Sequence, residues 1–218
     1  MNKLKMLASQ QAKPFLHENV VDILFQNKNE ISRRLSDIRG LYHIDHIAIN
    51  IINPLNEVMI FSITPSVEYN LFAHELWRYD QSFSPLSFND QALFCWDEGY
   101  DRRYFNDLKN LKEKKHHFNL GLNLVRKIEQ FQIVYSFATR SQNENLLPYY
   151  QDQASRLFLL GDYGYRLIRD IYQKYCDTYI PPIIGNDIFT ATKTAPHLRL
   201  IVNKDLHIEK TQEDLQFS

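Results

Sequence analysis

The chain has little cysteine and no excess of charge of either sign. Of its 218 residues only Cys95 and Cys176 are cysteines, and 25 basic against 26 acidic side chains leave a formal net charge of −1. Two cysteines in a chain long enough to bury its own core do not make a disulfide framework, so we expect reduced thiols. Neutralising phosphates requires concentrated lysine and arginine, so this balance predicts no direct contact with nucleic acid.

Long hydrophobic runs are absent as well. The first residues, MNKLKMLASQQAKPF, contain no apolar stretch typical of a signal peptide, and no later segment approaches the roughly 20 apolar residues that span a bilayer. We therefore expect no membrane contact and a cytoplasmic location, or export by a route that leaves no N-terminal mark. Hydrophobic residues at 44% and charged residues at 23% are typical of a globular protein with one core.

The sequence signatures of common enzymes and cofactor sites are also missing. GxSxG, P-loop, GxGxxG and paired-cysteine zinc patterns do not occur, so we predict no catalytic residues, no cofactor and no metal. His43, Asp45 and His46 resemble a cluster of metal ligands, but successive side chains of a strand point to opposite faces, so one ion cannot bind all three. An enzyme is a third hypothesis, which requires a histidine next to Cys95 or Asp80.

What is present is an alternation of helical and strand-like patterns. Apolar residues at helical spacing predict a helix over 18–39 with a break near Asn27, and further helices over 65–78, 104–117 and 147–175. Strand-favouring residues predict hairpins over 44–63 and 118–137, the second with one apolar face and one face of small or polar residues. This order predicts an α/β (α+β) fold, an α/β/α sandwich with a central antiparallel sheet and helices on both faces.

The same patterns divide the chain into three parts. We expect an N-terminal extension over 1–16, a sensor-like ligand-binding domain over 17–177 and a C-terminal extension over 178–218. The C-terminal part has Pro181-Pro182 close to its start and ends in polar residues. We expect it to contain a short edge strand over 197–202 and to be partly disordered.

An aromatic-rich loop lies between the two predicted hairpins. Residues 76–98 read LWRYDQSFSPLSFNDQALFCWDE, a composition that favours a lid over an apolar small-molecule pocket. The indole N–H of Trp96 can donate to a ligand carbonyl, and Asp80 can accept from a ligand N–H. The alternative is that the aromatic side chains are core and that Asp80 bonds backbone in a turn. The predicted ligand-binding residues are Asp80, Trp96, Tyr69, Trp77, Tyr79, Phe94 and Asn123.

Three short motifs around this loop point to a known family. Asp80 follows an aromatic-rich predicted helix, Trp96-Asp97 comes some fifteen residues later, and Gly121 lies where the next strand opens. With these residues, the stretch 17–175 resembles the autoinducer-binding domain of LuxR-type quorum-sensing receptors. The resemblance implies an acyl-homoserine-lactone pocket between the sheet and one helical layer.

The chain also departs from that family. Gln81 stands where the family has a proline, and either Tyr69 or Leu71 stands at the position of its tyrosine. The family's carboxy-terminal helix-turn-helix has no counterpart after Cys176. The resemblance therefore implies a sensing domain without its own DNA-binding unit.

Two functions follow from the residues and the resemblance. The leading hypothesis is a signal-sensing domain of quorum sensing that binds a hydrophobic, acyl-homoserine-lactone-like ligand and influences transcription through protein contacts. Such a chain would pair with a full-length receptor or form a homodimer through its long helix. The alternative is a protein-interaction or effector domain on the same fold, with a filled pocket and no ligand.

Overall fold

The computed structural model describes residues 13–85 and 88–185, and contacts divide the chain into two units after Ile183. The predicted strand over 197–202 lies outside the described residues. In the first unit the strands are β1 (Phe15–Leu16), β2 (His46–Ile52), β3 (Glu57–Ser62), β4 (Leu93–Cys95), β5 (Leu120–Ile128) and β6 (Phe131–Thr139), and the α-helices are α1 (Val20–Gln26), α2 (Lys28–Arg34), α3 (Pro65–Ala73), α4 (Phe105–Lys112), α5 (Leu146–Asp152) and α6 (Ala154–Gln173).

The strands form one sheet in the order β1-β3-β2-β6-β5-β4. Both predicted hairpins are present, and they join through β2 and β6, which run antiparallel with Ala48 opposite Ser136. β1 pairs in parallel with β3, so the sheet is mixed rather than wholly antiparallel. The predicted α+β fold with helices on both faces is confirmed. Among the described helices, none is both long and apolar enough to cross a bilayer.

The two faces of the sheet differ in chemistry, as the second hairpin predicts. On one face α6 approaches closely enough that Gly161 lies against the ring of Tyr135 and Gly164 against Ile49. On the other face α1, α3 and α4 share one apolar cluster with β2, β3, β5 and β6. On that second face the row across the strands is Ser62, Ala48, Ser136, Asn123 and Phe94. The small and polar side chains of the sheet therefore lie beneath the aromatic-rich loop.

The first predicted helix is broken at the predicted place. α1 ends at Gln26 and α2 begins at Lys28, with Asn27 between them. The side-chain amide of Asn27 donates to the carbonyl of Ile23 at 3.1 Å and to the hydroxyl of Tyr175 at 2.8 Å. Because this amide satisfies a backbone carbonyl where the helix ends, asparagine stabilises the break.

The prediction of one uninterrupted helix over 147–175 is wrong. The chain leaves helical geometry at Gln153 (φ −95°, ψ 12°), which separates α5 from α6. Tyr150 of α5 donates its hydroxyl to the backbone carbonyl of Tyr42 at 2.7 Å, whereas α6 packs along the sheet. Because of the break, α5 can contact Tyr42 while α6 packs on the sheet.

Candidate functional site

Asp80 lies at the junction of two 3-10 turns, Leu76–Tyr79 and Gln81–Phe83. Only 1% of the residue is exposed. One carboxylate oxygen, Oδ1, accepts from the backbone N–H of Ser82 at 2.9 Å, as expected from the alternative in which Asp80 bonds backbone in a turn. The other, Oδ2, lies 2.6 Å from the ammonium nitrogen of Lys112. Both oxygens of the predicted ligand acceptor therefore have protein partners.

Lys112 is the buried cation that pairs with Asp80. It is the last residue of α4, and its side chain is 4% exposed. Its Nζ lies 4.3 Å from the ring centroid of Trp96 and 5.6 Å from that of Tyr100. An ammonium over an indole face is attracted by the ring quadrupole, most strongly where water is excluded. Lys112 thus contacts both residues that the sequence assigns to a ligand's polar head, Asp80 and Trp96.

Lys112 is the residue of this candidate site that sequence reasoning misses. In the sequence it belongs to a local basic cluster with Lys114 and Lys115, which is typical of a solvated helix face. Its position in the helix indicates burial instead, because Lys112 follows Leu108 by four residues and therefore lies on the same face of α4. Leu108 and Lys112 are the two buried residues of that helix.

Trp96 is fully buried, and its indole N–H already has an acceptor. Nε1 donates to Oγ of Ser136 at 2.8 Å. The ring lies over Gly121, where a Cβ atom would come within 2.0 Å of the indole. Only glycine fits at that strand position, so the pairing of tryptophan and glycine seen in the sequence is a direct packing contact.

A small chamber remains between the sheet, α3 and the loop. Its polar lining is Asn50, Glu68, Ser82, Lys112 and Ser136, and its volume is about 10 Å³. That space is roughly what one water molecule occupies. The side chains that surround it therefore leave no room in this chamber for the head of a lactone while Lys112 stays in place.

Several polar atoms around the chamber are buried without a partner. Asn50 donates to the carbonyl of Ser82 at 2.9 Å, but its Oδ1, the Oε2 of Glu68 and both polar atoms of Asn123 have no hydrogen-bond partner among residues 13–85 and 88–185. Asn123 is 0% exposed, so its side chain does not face solvent. It pairs with Ser136 across the sheet, on the face toward the chamber.

The other predicted site residues are not all brought together. Trp77 and Phe94 are buried in the cluster on the chamber side of the sheet. Tyr79 is half-buried and stacks on Tyr104 with ring centroids 4.0 Å apart. Tyr69 is 43% exposed, and its ring meets the edge of Phe25. The structure does not place Tyr69 with Asp80 and Trp96.

Two further buried polar residues, Tyr100 and Glu113, lie next to Lys112. The hydroxyl of Tyr100 donates to Oε1 of Glu113 at 3.0 Å. Burial raises the pKa of Tyr100 well above its usual value, and nearby Asp80 and Glu113 add to that shift. Burial likewise raises the pKa of Glu113, against the opposing effect of Lys109. These groups keep Tyr100 neutral at one wall of the lysine site.

The histidine and acidic side chains do not assemble a metal site in the described structure. His46 is fully buried, with Nε2 3.4 Å from Oε1 of Glu68, while Asp45 accepts from the backbone N–H of Arg140 at 2.7 Å. Within residues 13–85 and 88–185, no three His, Cys, Asp or Glu side chains lie close enough to hold one ion.

Cys95 has the environment of an unreactive thiol. Burial, followed by the charges of Glu98 and Asp97, raises its pKa to about 12. Because the thiolate is the nucleophile, we expect iodoacetamide at neutral pH to alkylate Cys95 roughly a hundredfold more slowly than an ordinary exposed thiol. Peptide mass spectrometry over a time course follows Cys95 separately from Cys176. Alkylation of native Cys95 at the rate of free cysteine would contradict this environment.

Neither a protein-family model nor a curated protein sequence matches the chain. Solved structures of LuxR-type ligand-binding domains are similar to it. Escherichia coli SdiA is 15% identical, with 91% of this chain and 81% of that chain covered, at a TM-score of 0.48.

Two further structures extend the comparison. SdiA in complex with octanoyl-rac-glycerol is 15% identical, with 91% and 80% of the two chains covered, at a TM-score of 0.47. The VqsR LBD domain from Pseudomonas aeruginosa is 10% identical, with 68% and 95% covered, at 0.43. The resemblance predicted from the sequence is confirmed as a structural similarity.

Proposed function

We propose that the chain is a regulatory domain of the sensing class that acts through protein contacts, and that Lys112 takes the place of a ligand's polar head. The observation that carries the proposal is the position of the Lys112 ammonium, 2.6 Å from Asp80 and 4.3 Å from the centroid of Trp96. It donates to the carboxylate as a ligand amide would. The geometry therefore favours the filled-pocket alternative over the lactone receptor.

A ligand titration tests this proposal directly. We expect N-octanoyl homoserine lactone to leave the thermal unfolding midpoint of the wild-type protein unchanged, because its head cannot reach Asp80 without breaking a buried ion pair. A ligand that binds the folded state at a hundredfold excess over Kd would add about 2.7 kcal/mol to the free energy of unfolding. A saturable rise of that size would contradict the filled site.

Native mass spectrometry of the protein purified from its own host provides the complementary measurement. We expect the mass of the chain alone, of a homodimer or of a complex with a protein partner such as a full-length receptor, without a retained small molecule. This outcome fits a regulator that acts through protein contacts and not through a bound small molecule. A retained acyl compound would overturn the proposal.

A protein-contact role requires an available surface, and α6 offers one. Leu160, Tyr163 and Leu167 recur at helical spacing and are each only half-buried. If this surface mediates dimerisation, Leu160→Arg is expected to shift the mass measured by light scattering from dimer to monomer. Ser155→Arg places the same charge at an exposed position of α6 and serves as the control. Equal masses for wild type and both variants would exclude this surface as the dimer interface.

One observation favours ligand sensing as a second candidate function. Asn50, Glu68 and Asn123 hold buried polar atoms without a partner among the described residues, and such atoms are costly unless something bonds them. A ligand that displaces Lys112 and bonds these groups would remove that cost. The lactone titration separates the two candidates, since only this second one predicts a stabilised wild-type protein.

A further inference from the structure

A separate cavity of about 80 Å³ lies where four elements meet. Asp45 stands just before β2, Thr64 just before α3, and Arg140 just after β6, while Ser32 and Arg39 come from α2 and the turn that follows it. Leu35 and Ile63 complete the wall. None of the residues that line this cavity lines the chamber at Lys112.

Arg140 is held in place at this cavity by groups around it. Its Nε donates to the carbonyl of His116 at 3.2 Å, and its Cζ lies 4.9 Å from the ring centroid of Phe118. Its backbone N–H donates to Asp45 at 2.7 Å, and Nη1 is 4.0 Å from the same carboxylate. A guanidinium fixed in this way loses little conformational freedom when it binds a further anion.

The lining has the chemistry of an oxyanion site. Two arginines and one aspartate leave a net charge of +1, and the hydroxyls of Ser32 and Thr64 are hydrogen-bond donors. The planar guanidinium matches the geometry of phosphate oxygens.

The size of the cavity agrees with its charge. A volume of 80 Å³ corresponds to about six water-sized spheres, which suits the five heavy atoms of a phosphate group. Arg39 and Arg140 are both exposed, so the cavity opens at the surface and an ester group can extend into solvent. We propose that this cavity binds a phosphate group, either free or as the monoester of a small molecule.

Calorimetric titration with inorganic phosphate and with glycerol 3-phosphate, against chloride at equal ionic strength, tests the site. We expect saturable binding with one site per chain and a loss of about tenfold or more in affinity for Arg39→Gln. Arg39→Lys should lose less, because it keeps the charge but not the fork of donors. Tighter binding of glycerol 3-phosphate identifies a monoester as the ligand, and equal binding identifies free phosphate.

Arg33→Gln is the matched control, since Arg33 is an exposed arginine of α2 that does not line the cavity. It makes the same change in net charge and should bind as wild type does. Arg39 is itself exposed, so Arg39→Gln is expected to keep the thermal midpoint of the wild type in chloride. Absence of saturable binding to both anions, or an equal loss in the two variants, would overturn the proposal.

Discussion

Replacing Lys112 with alanine is expected to lower the free energy of unfolding by about 3–5 kcal/mol. The substitution leaves the carboxylate of Asp80 buried without its ammonium partner, and this carboxylate is 0% exposed. It also removes the cation from the face of Trp96 and opens a cavity along the lysine stem. Equilibrium denaturation with urea at neutral pH measures the change.

A double variant separates the buried charge from the other effects. Asp80→Asn combined with Lys112→Met removes both charges, keeps an acceptor for the N–H of Ser82 and roughly fills the space of the lysine stem. Replacement of a buried ion pair by uncharged groups of similar volume is often nearly neutral. We therefore expect the double variant to be more stable than Lys112→Met alone. A Lys112→Met protein as stable as wild type would show that the ion pair is not needed for folding.

Substitution of Gly161 by alanine is expected to destabilise the protein by about 3 kcal/mol. A Cβ atom at that position would lie 2.0 Å from the ring of Tyr135. The ring cannot easily move, because its hydroxyl donates to Asp162 at 2.7 Å and Arg126 binds the same carboxylate at 2.6 and 3.0 Å. The clash exceeds the gain of up to about 1 kcal/mol that alanine brings to a helix.

Gly164 of the same helix provides the matched control. A Cβ there would meet the tips of flexible side chains, Ile38 at 3.1 Å and Ile49 at 3.3 Å. Since both substitutions gain the same helix propensity, Gly164→Ala should stay within about 1 kcal/mol of wild type. Thermal unfolding of the two variants side by side isolates the contact with Tyr135. Equal stability of the two would contradict the close approach of α6 to the sheet at Gly161.

The elements whose pattern spans many residues are predictable from the sequence. The first hairpin follows from strand-favouring residues on either side of a turn, and the second hairpin with its polar face follows from alternation. The break at Asn27 follows from a residue that favours helix ends. The separation of α5 from α6 was not predictable, because it depends on a contact between Tyr150 and Tyr42. Those residues are more than a hundred positions apart in the sequence, beyond the reach of a local pattern.

The candidate site is predictable only in part, for a related reason. The aromatic-rich loop and the family resemblance single out Asp80 and Trp96, and both are buried and close to one cation. What they bind is decided by Lys112 and Ser136, which come from other elements and look ordinary in the sequence. A lysine in a basic cluster and a serine in a strand carry no signal of burial until the fold places them beside an acidic and an indole group.

The outermost strands of the sheet are also its shortest. β1 has two residues and β4 has three, whereas β5 and β6 have nine each. Short edge strands give a neighbouring chain little backbone to pair with, which protects against fibril-like aggregation. Recognition of this molecule by another protein is therefore expected to use side chains projecting from its helices and loops, not strand addition.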